Sequence, residues 1–125
     1  MFKNLIITSF LGVLAIALGA FGAHALKDVL TLQEISSFET GVRYQMYHVI
    51  VLLFVNIYKE FTAAQKNRIS FIFFLGIILF SGSIFLIHLT PITAKQIWFI
   101  TPLGGVMLII GWLLMIAIFL KKVKN

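Results

Sequence analysis

The stretch SSFETGVRYQMYHVIVLLFVNIY, residues 36–58, decides the fold, because it settles whether the chain has three membrane-length helices or four. Its apolar part runs only from about Tyr44 to Tyr58. A helix needs about 20 apolar residues to cross a hydrocarbon core of roughly 30 Å. The polar half supplies the missing turns. Ser36 stands three residues before Glu39, the spacing of a capping box, in which hydroxyl and carboxylate each satisfy a backbone amide at the helix start. A helix from about Ser37 to Tyr58 is then long enough, with its first turns among the headgroups.

Three further runs need no such help: Leu5 to about Leu26, Ile69 to Leu89, and about Leu103 to Leu120. In Ile100-Thr101-Pro102 before the last of them, Thr101 reads as a cap and Pro102 as a first-turn residue, which moves that start to 101. Composition agrees, with 61% hydrophobic and 11% charged residues where a soluble domain carries about 25% charged. The expectation is an all-α membrane protein, a four-transmembrane-helix bundle forming one domain over 1–125. Its spans fall at about 5–26, 37–58, 69–89 and 101–120. A short interfacial segment is expected at about 28–36, where Thr31-Leu32-Gln33-Glu34 is a second capping-box pattern. With no cysteine there is no disulfide, thiolate nucleophile or thiolate metal ligand.

The net charge of +6 is distributed by topology. With the N-terminus inside, the inner ends hold Lys3, Lys59, Lys66, Arg68, Lys121, Lys122 and Lys124, and the outer loops only Lys27, Arg43 and Lys95. Both termini are therefore expected in the cytoplasm, in a multi-pass membrane protein. No basic stripe with interleaved aromatics is present, so no nucleic-acid partner is expected. Ala23-His24-Ala25 has the look of a signal-peptidase site, but the apolar run before it exceeds a usual signal core, and an uncleaved first span is the better reading.

Small residues mark packing faces. Gly12, Ala15, Gly19, Gly22 and Ala23 lie within about a 100° arc of the first helix. Gly76 and Ser83 on the third helix, and Gly104, Gly105 and Gly111 on the fourth, repeat the pattern that lets helix backbones approach in lipid. Asn56, near the inner end of helix two, is expected to hydrogen-bond between helices.

One polar cluster stands near the outer face: His24, Glu39, Arg43, Tyr44, Gln45, Tyr47 and His48. Arg43, Tyr44, Tyr47 and His48 form a stripe about 140° wide on helix two, and Glu39 stands four residues before Arg43, the favourable order for an ion pair. The threading sends His24, His48 and His88 toward the same leaflet. Polar groups at membrane depth are costly and commonly functional. Histidines on neighbouring helices suit a metal or haem. They also suit proton transfer or a bound quinone. The plainest use is pinning helix one to helix two by hydrogen bonds, with Arg43 snorkelling to headgroups. No His-x-x-x-His spacing is present, so pinning leads, no metal site or cofactor is expected, and His24 is expected to bond near the start of helix two.

These residues also carry a resemblance. GAFGAHALK (19–27), FETGVRYQMYH (38–48), LFSGSIF (79–85), ITPLGG (100–105) and Gly111-Trp112 resemble, in order, the motifs of the domain of unknown function 423 family, also called uncharacterised protein family 0382. Its motifs project onto His24, Arg43, Tyr44, Gln45 and His48. The resemblance implies a small multi-pass inner-membrane protein and carries no catalytic residue with it. The function expected is that of a non-enzymatic structural or binding component, with membrane lipids, a homo-oligomeric copy or a membrane-protein partner as its company. A small oligomeric transporter or channel subunit is the alternative, disfavoured because proton coupling needs a carboxylate within the membrane. A histidine-based metal, haem or quinone redox protein stands third.

Overall fold

A computed structural model describes residues 2–125, all of whose regular structure is helical: α1 Phe2–His24, α2 Leu32–Ile57, α3 Ala63–Leu89 and α4 Ile100–Lys124. Helices α1, α3 and α4 are long and apolar enough to cross a membrane. Helix α2, at 26 residues, is long enough, but its first half is polar.

Two starts differ from expectation for one reason. Helix α2 begins at Leu32, because the upstream box is the one that forms: Glu34 N–H donates to Thr31 Oγ1 at 3.2 Å, and Thr31 N–H donates to Glu34 Oε2 at 2.7 Å. Once the helix starts there, Ser36 is interior and its carbonyl accepts from Thr40 Oγ1. The expected interfacial segment is thus divided, and its second half is the first turns of α2. Helix α3 likewise begins six residues before its apolar run, through a Thr62–Gln65 box. Helix α4 has no side-chain cap, and Thr101 lies inside it with its hydroxyl against Ser83 Oγ. Pro102 is tolerated there because first-turn amides have no intrahelical partner.

The Thr31 backbone N–H, and then its side chain, hold the Glu34 carboxyl below the ordinary Glu range. A lowered folded-state value makes this cap fully present at neutral pH and lost as pH falls through that value. Thr31→Ala is expected to cost about 1 kcal/mol. Thermal unfolding in detergent checks the magnitude, and hydrogen exchange should accelerate first at the amides of residues 33–35.

Sequential helices pack on one another: α1 on α2, α2 on α3, and α3 on α4. The main core is built by three of them. Leu52 and Val55 of α2, Ile69, Phe73 and Ile77 of α3, and Leu108, Met115 and Ile118 of α4 form one buried cluster, closed by Phe61. Helix α1 adds only the partly buried Leu11 to it. The expected four-helix bundle is therefore a three-helix core with α1 laid along its flank. Asn4 bonds to Asn67, and Lys122 approaches Glu60 at 3.8 Å, so both ends of the chain lie beside the α2–α3 loop.

Small residues make these approaches. Thr8, Ala15 and Gly22 are the buried residues of α1, seven apart, with Gly12 and Gly19 beside them facing Val49 and Val42. Ala23 departs from the expected stripe and is exposed, because a helix with one principal neighbour buries only a narrow seam. Between α3 and α4, Gly76 meets Leu108, Gly104 meets the Leu79–Phe80 backbone, and Gly111 meets Phe73. Ser83 is buried in the same seam.

Candidate functional site

The polar residues of α2 point three ways. Glu39 and Arg43 stay at the surface as an ion pair of 3.8 Å, both half exposed, and Arg43 also donates to Thr40 Oγ1. Gln45 turns toward α1 and donates to the Leu11 carbonyl at 2.7 Å, while only 3% exposed. His48 turns toward α4 and is buried.

His48 is fixed at both nitrogens. Trp112 Nε1 lies 3.2 Å from His48 Nε2, and His48 Nδ1 lies 2.6 Å from the Tyr44 carbonyl. An indole N–H only donates and a carbonyl only accepts. The ring is therefore the neutral tautomer, with its proton on Nδ1. Aromatic rings surround it: Phe73 at 5.3 Å and Trp112 at 6.2 Å between centroids. Tyr44 stands edge-on to Phe80 at 5.0 Å and to Tyr47 at 5.9 Å. A groove of about 280 Å³ opens here between α2, α3 and α4, with Tyr44, His48, Phe80 and Trp112 among its walls. Gly105, which offers no side chain, widens it.

The three histidines, expected toward one leaflet, do not meet one another. His24 is exposed at the end of α1 and its side chain makes no hydrogen bond among the described residues, so it does not pin the start of α2. Helix α1 ends at that residue, Leu26 rather than His24 is buried in the turn that follows, and Gly22 lies against Phe38 at the α1–α2 contact. His88 is held elsewhere, its Nε2 3.1 Å from Ser37 Oγ. Among the described residues no three His, Asp or Glu side chains gather as a metal site would need.

Several site residues escape a reading of the sequence. Trp112 had a signal, since a tryptophan midway along an apolar helix must find an acceptor for its N–H away from the interface where such residues normally sit. Phe73 and Phe80 carried none, being two of 13 phenylalanines. Gly41 lies against Ile84 and Phe85, and its carbonyl accepts from Ser81 Oγ at 2.6 Å. At the opposite end of α2, Asn56 does bond between helices. It accepts from Asn4 Nδ2 at 3.1 Å and donates to Ser70 Oγ at 2.9 Å. Among the described residues every buried side-chain nitrogen and oxygen has a partner.

Residues 18–105 match the family model described as protein of unknown function (DUF423). Relatives include a UPF0382 membrane protein of Staphylococcus saprophyticus, 41% identical over 82% of this chain and 84% of its own. Another, of Staphylococcus epidermidis, is 40% identical over 86% and 87% respectively. The UPF0382 inner membrane protein YgdD of Escherichia coli K12 is 37% identical over 94% and 91%. No solved structure matches the chain. Matched by the family model over residues 18–105 and by these relatives over most of its length, the chain belongs to the DUF423 (UPF0382) family of bacterial membrane proteins.

Proposed function

We propose that the protein is a four-span component of the bacterial plasma membrane, with both termini cytoplasmic, and that it works by binding a membrane-soluble partner rather than by catalysis. The topology rests on the excess of Lys and Arg at one end of the helices and on both chain ends lying at that same end. Helix α2 makes the fourth span by placing its polar first turns among headgroups.

One observation carries the binding role: the aromatic groove is open while the histidine beside it is already spent. To ligate a metal or carry a proton, His48 would first have to give up Trp112 or the Tyr44 carbonyl. What the groove offers an occupant is shape, ring faces and the Tyr44 phenol. That combination suits the apolar or aromatic body of a lipid-soluble molecule. All four carboxylates, Asp28, Glu34, Glu39 and Glu60, are exposed, which leaves proton-coupled transport without its usual relay.

Native mass spectrometry of protein released gently from its own membrane tests this. A discrete retained mass is expected. Gly105→Leu should lower it about tenfold or more by filling the groove, since an added Cβ there meets only ordinary contact with Phe80 at 3.7 Å. Gly82→Ala, in open space, should leave it unchanged. The same retained mass in Gly105→Leu, or none in the wild type, would overturn the groove reading.

A further inference from the structure

A second cleft, of about 220 Å³, lies between the start of α3 and the end of α4, at the end of the fold where the chain termini meet. Arg68 stands on one wall and Lys121 on the other. No carboxylate lines it. Neither cation has a carboxylate partner among the described residues, the nearby pair being Lys122 with Glu60. Two positive charges facing one cleft without compensation repel each other, and the arrangement is relieved by an anion between them.

The rest of the cleft says what that anion is attached to. Ala64 and Ala117 leave the cleft unfilled by their short side chains, while Leu114 and Ile118 continue the wall with apolar surface. Helices α3 and α4 are antiparallel, with Gly76 against Leu108 and Gly111 against Phe73. That register sets Arg68 level with about residue 116, roughly 7 Å deeper along α4 than Lys121. The cations are therefore staggered in depth, and Leu114 lies deeper still. An ion that stayed in water would have no use for the apolar wall. We propose that this cleft binds an anionic glycerophospholipid, its phosphodiester held between Arg68 and Lys121 and the start of an acyl chain lying along Ala117 and Leu114. The site rests on the membrane reading of the chain and is independent of the aromatic groove. Basic clefts between helices at a membrane surface are suited to such headgroups.

The test uses full-length protein in detergent, titrated with phosphatidylglycerol or with phosphatidylcholine of the same chains and read by native mass spectrometry. Phosphatidylglycerol is expected to be retained preferentially. Arg68→Gln with Lys121→Gln should lower its retention about tenfold or more. Lys27→Gln with Lys95→Gln, which removes the same charge at the other end, should leave it intact. Both altered cations are exposed, so thermal unfolding of the double variant should match the wild type. Equal retention of the two lipids, or equal loss in both double variants, would overturn the proposal.

Discussion

Gly104→Ala is expected to be the most damaging single methyl that can be added to this protein. A Cβ at residue 104 would collide with the backbone nitrogen of Phe80 and lie 2.7 Å from the Leu79 carbonyl carbon. Neither atom belongs to a side chain that can swing aside, so the only relief is to part α3 from α4. Parting them loosens Leu108 over Gly76, Phe73 over Gly111 and the Ser83–Thr101 hydroxyl pair together. Overpacking of this kind costs about 3 kcal/mol or more. The gain in helix propensity from replacing glycine by alanine, up to about 1 kcal/mol, is too small to offset it. At Gly82 nothing lies within 4 Å, so Gly82→Ala should be neutral or slightly stabilising. Thermal unfolding of both variants in one detergent decides the matter. If Gly104→Ala unfolds within a degree or two of Gly82→Ala, the close α3–α4 approach is wrong.

The second large effect is expected from Asn56→Ala. Asn56 is fully buried and uses its whole amide: Oδ1 accepts from Asn4, and Nδ2 donates to Ser70 Oγ and to the Leu52 carbonyl. Hydrogen bonds between helices in membranes are individually modest, about 0.6 kcal/mol on average. The larger cost is what the substitution leaves behind, a small cavity and a Ser70 hydroxyl without its donor. Together these amount to about 2–3 kcal/mol. Asn4→Ala should cost less, because Asn4 is half-buried and sits at the end of a helix with only one principal neighbour. The double variant should cost clearly less than the sum, since the two residues share one bond. Strict additivity in unfolding measurements would show that the Asn4–Asn56 contact contributes nothing.

Reading the sequence went furthest where lipid was the constraint. Four helices, their approximate places and the glycine seams follow from apolar length and small-residue spacing, both of which hold whatever the neighbours are. Helix starts were less legible at α2 because two capping boxes, at Thr31 and Ser36, compete within one stretch, and the upstream one makes the other redundant. In the polar cluster, Glu39 with Arg43 was readable because an ion pair four residues apart is decided within one helix. Gln45 and His48 were readable only as costly. Their directions, toward Leu11 and Trp112, depend on which helix stands on which side of α2, and one chain's periodicity does not encode that. His24 misled because its place at the end of an apolar run suggested a partner across the interface, whereas its side chain is exposed and Leu26 is the residue buried there.

The seam that holds α1 has a consequence for how the protein is made. Of the four helices, α1 is made before the other three and has the least stake in the finished core. Its outer face, with Phe2, Ile6, Phe10, Val13 and Ile16 well exposed, is suited to acyl chains from the moment of insertion. Only Thr8, Ala15 and Gly22 wait for a neighbour, and small residues wait in lipid at little cost. Among these four helices the order of synthesis and the order of need therefore run together: one content to stand alone is made before the three that depend on one another.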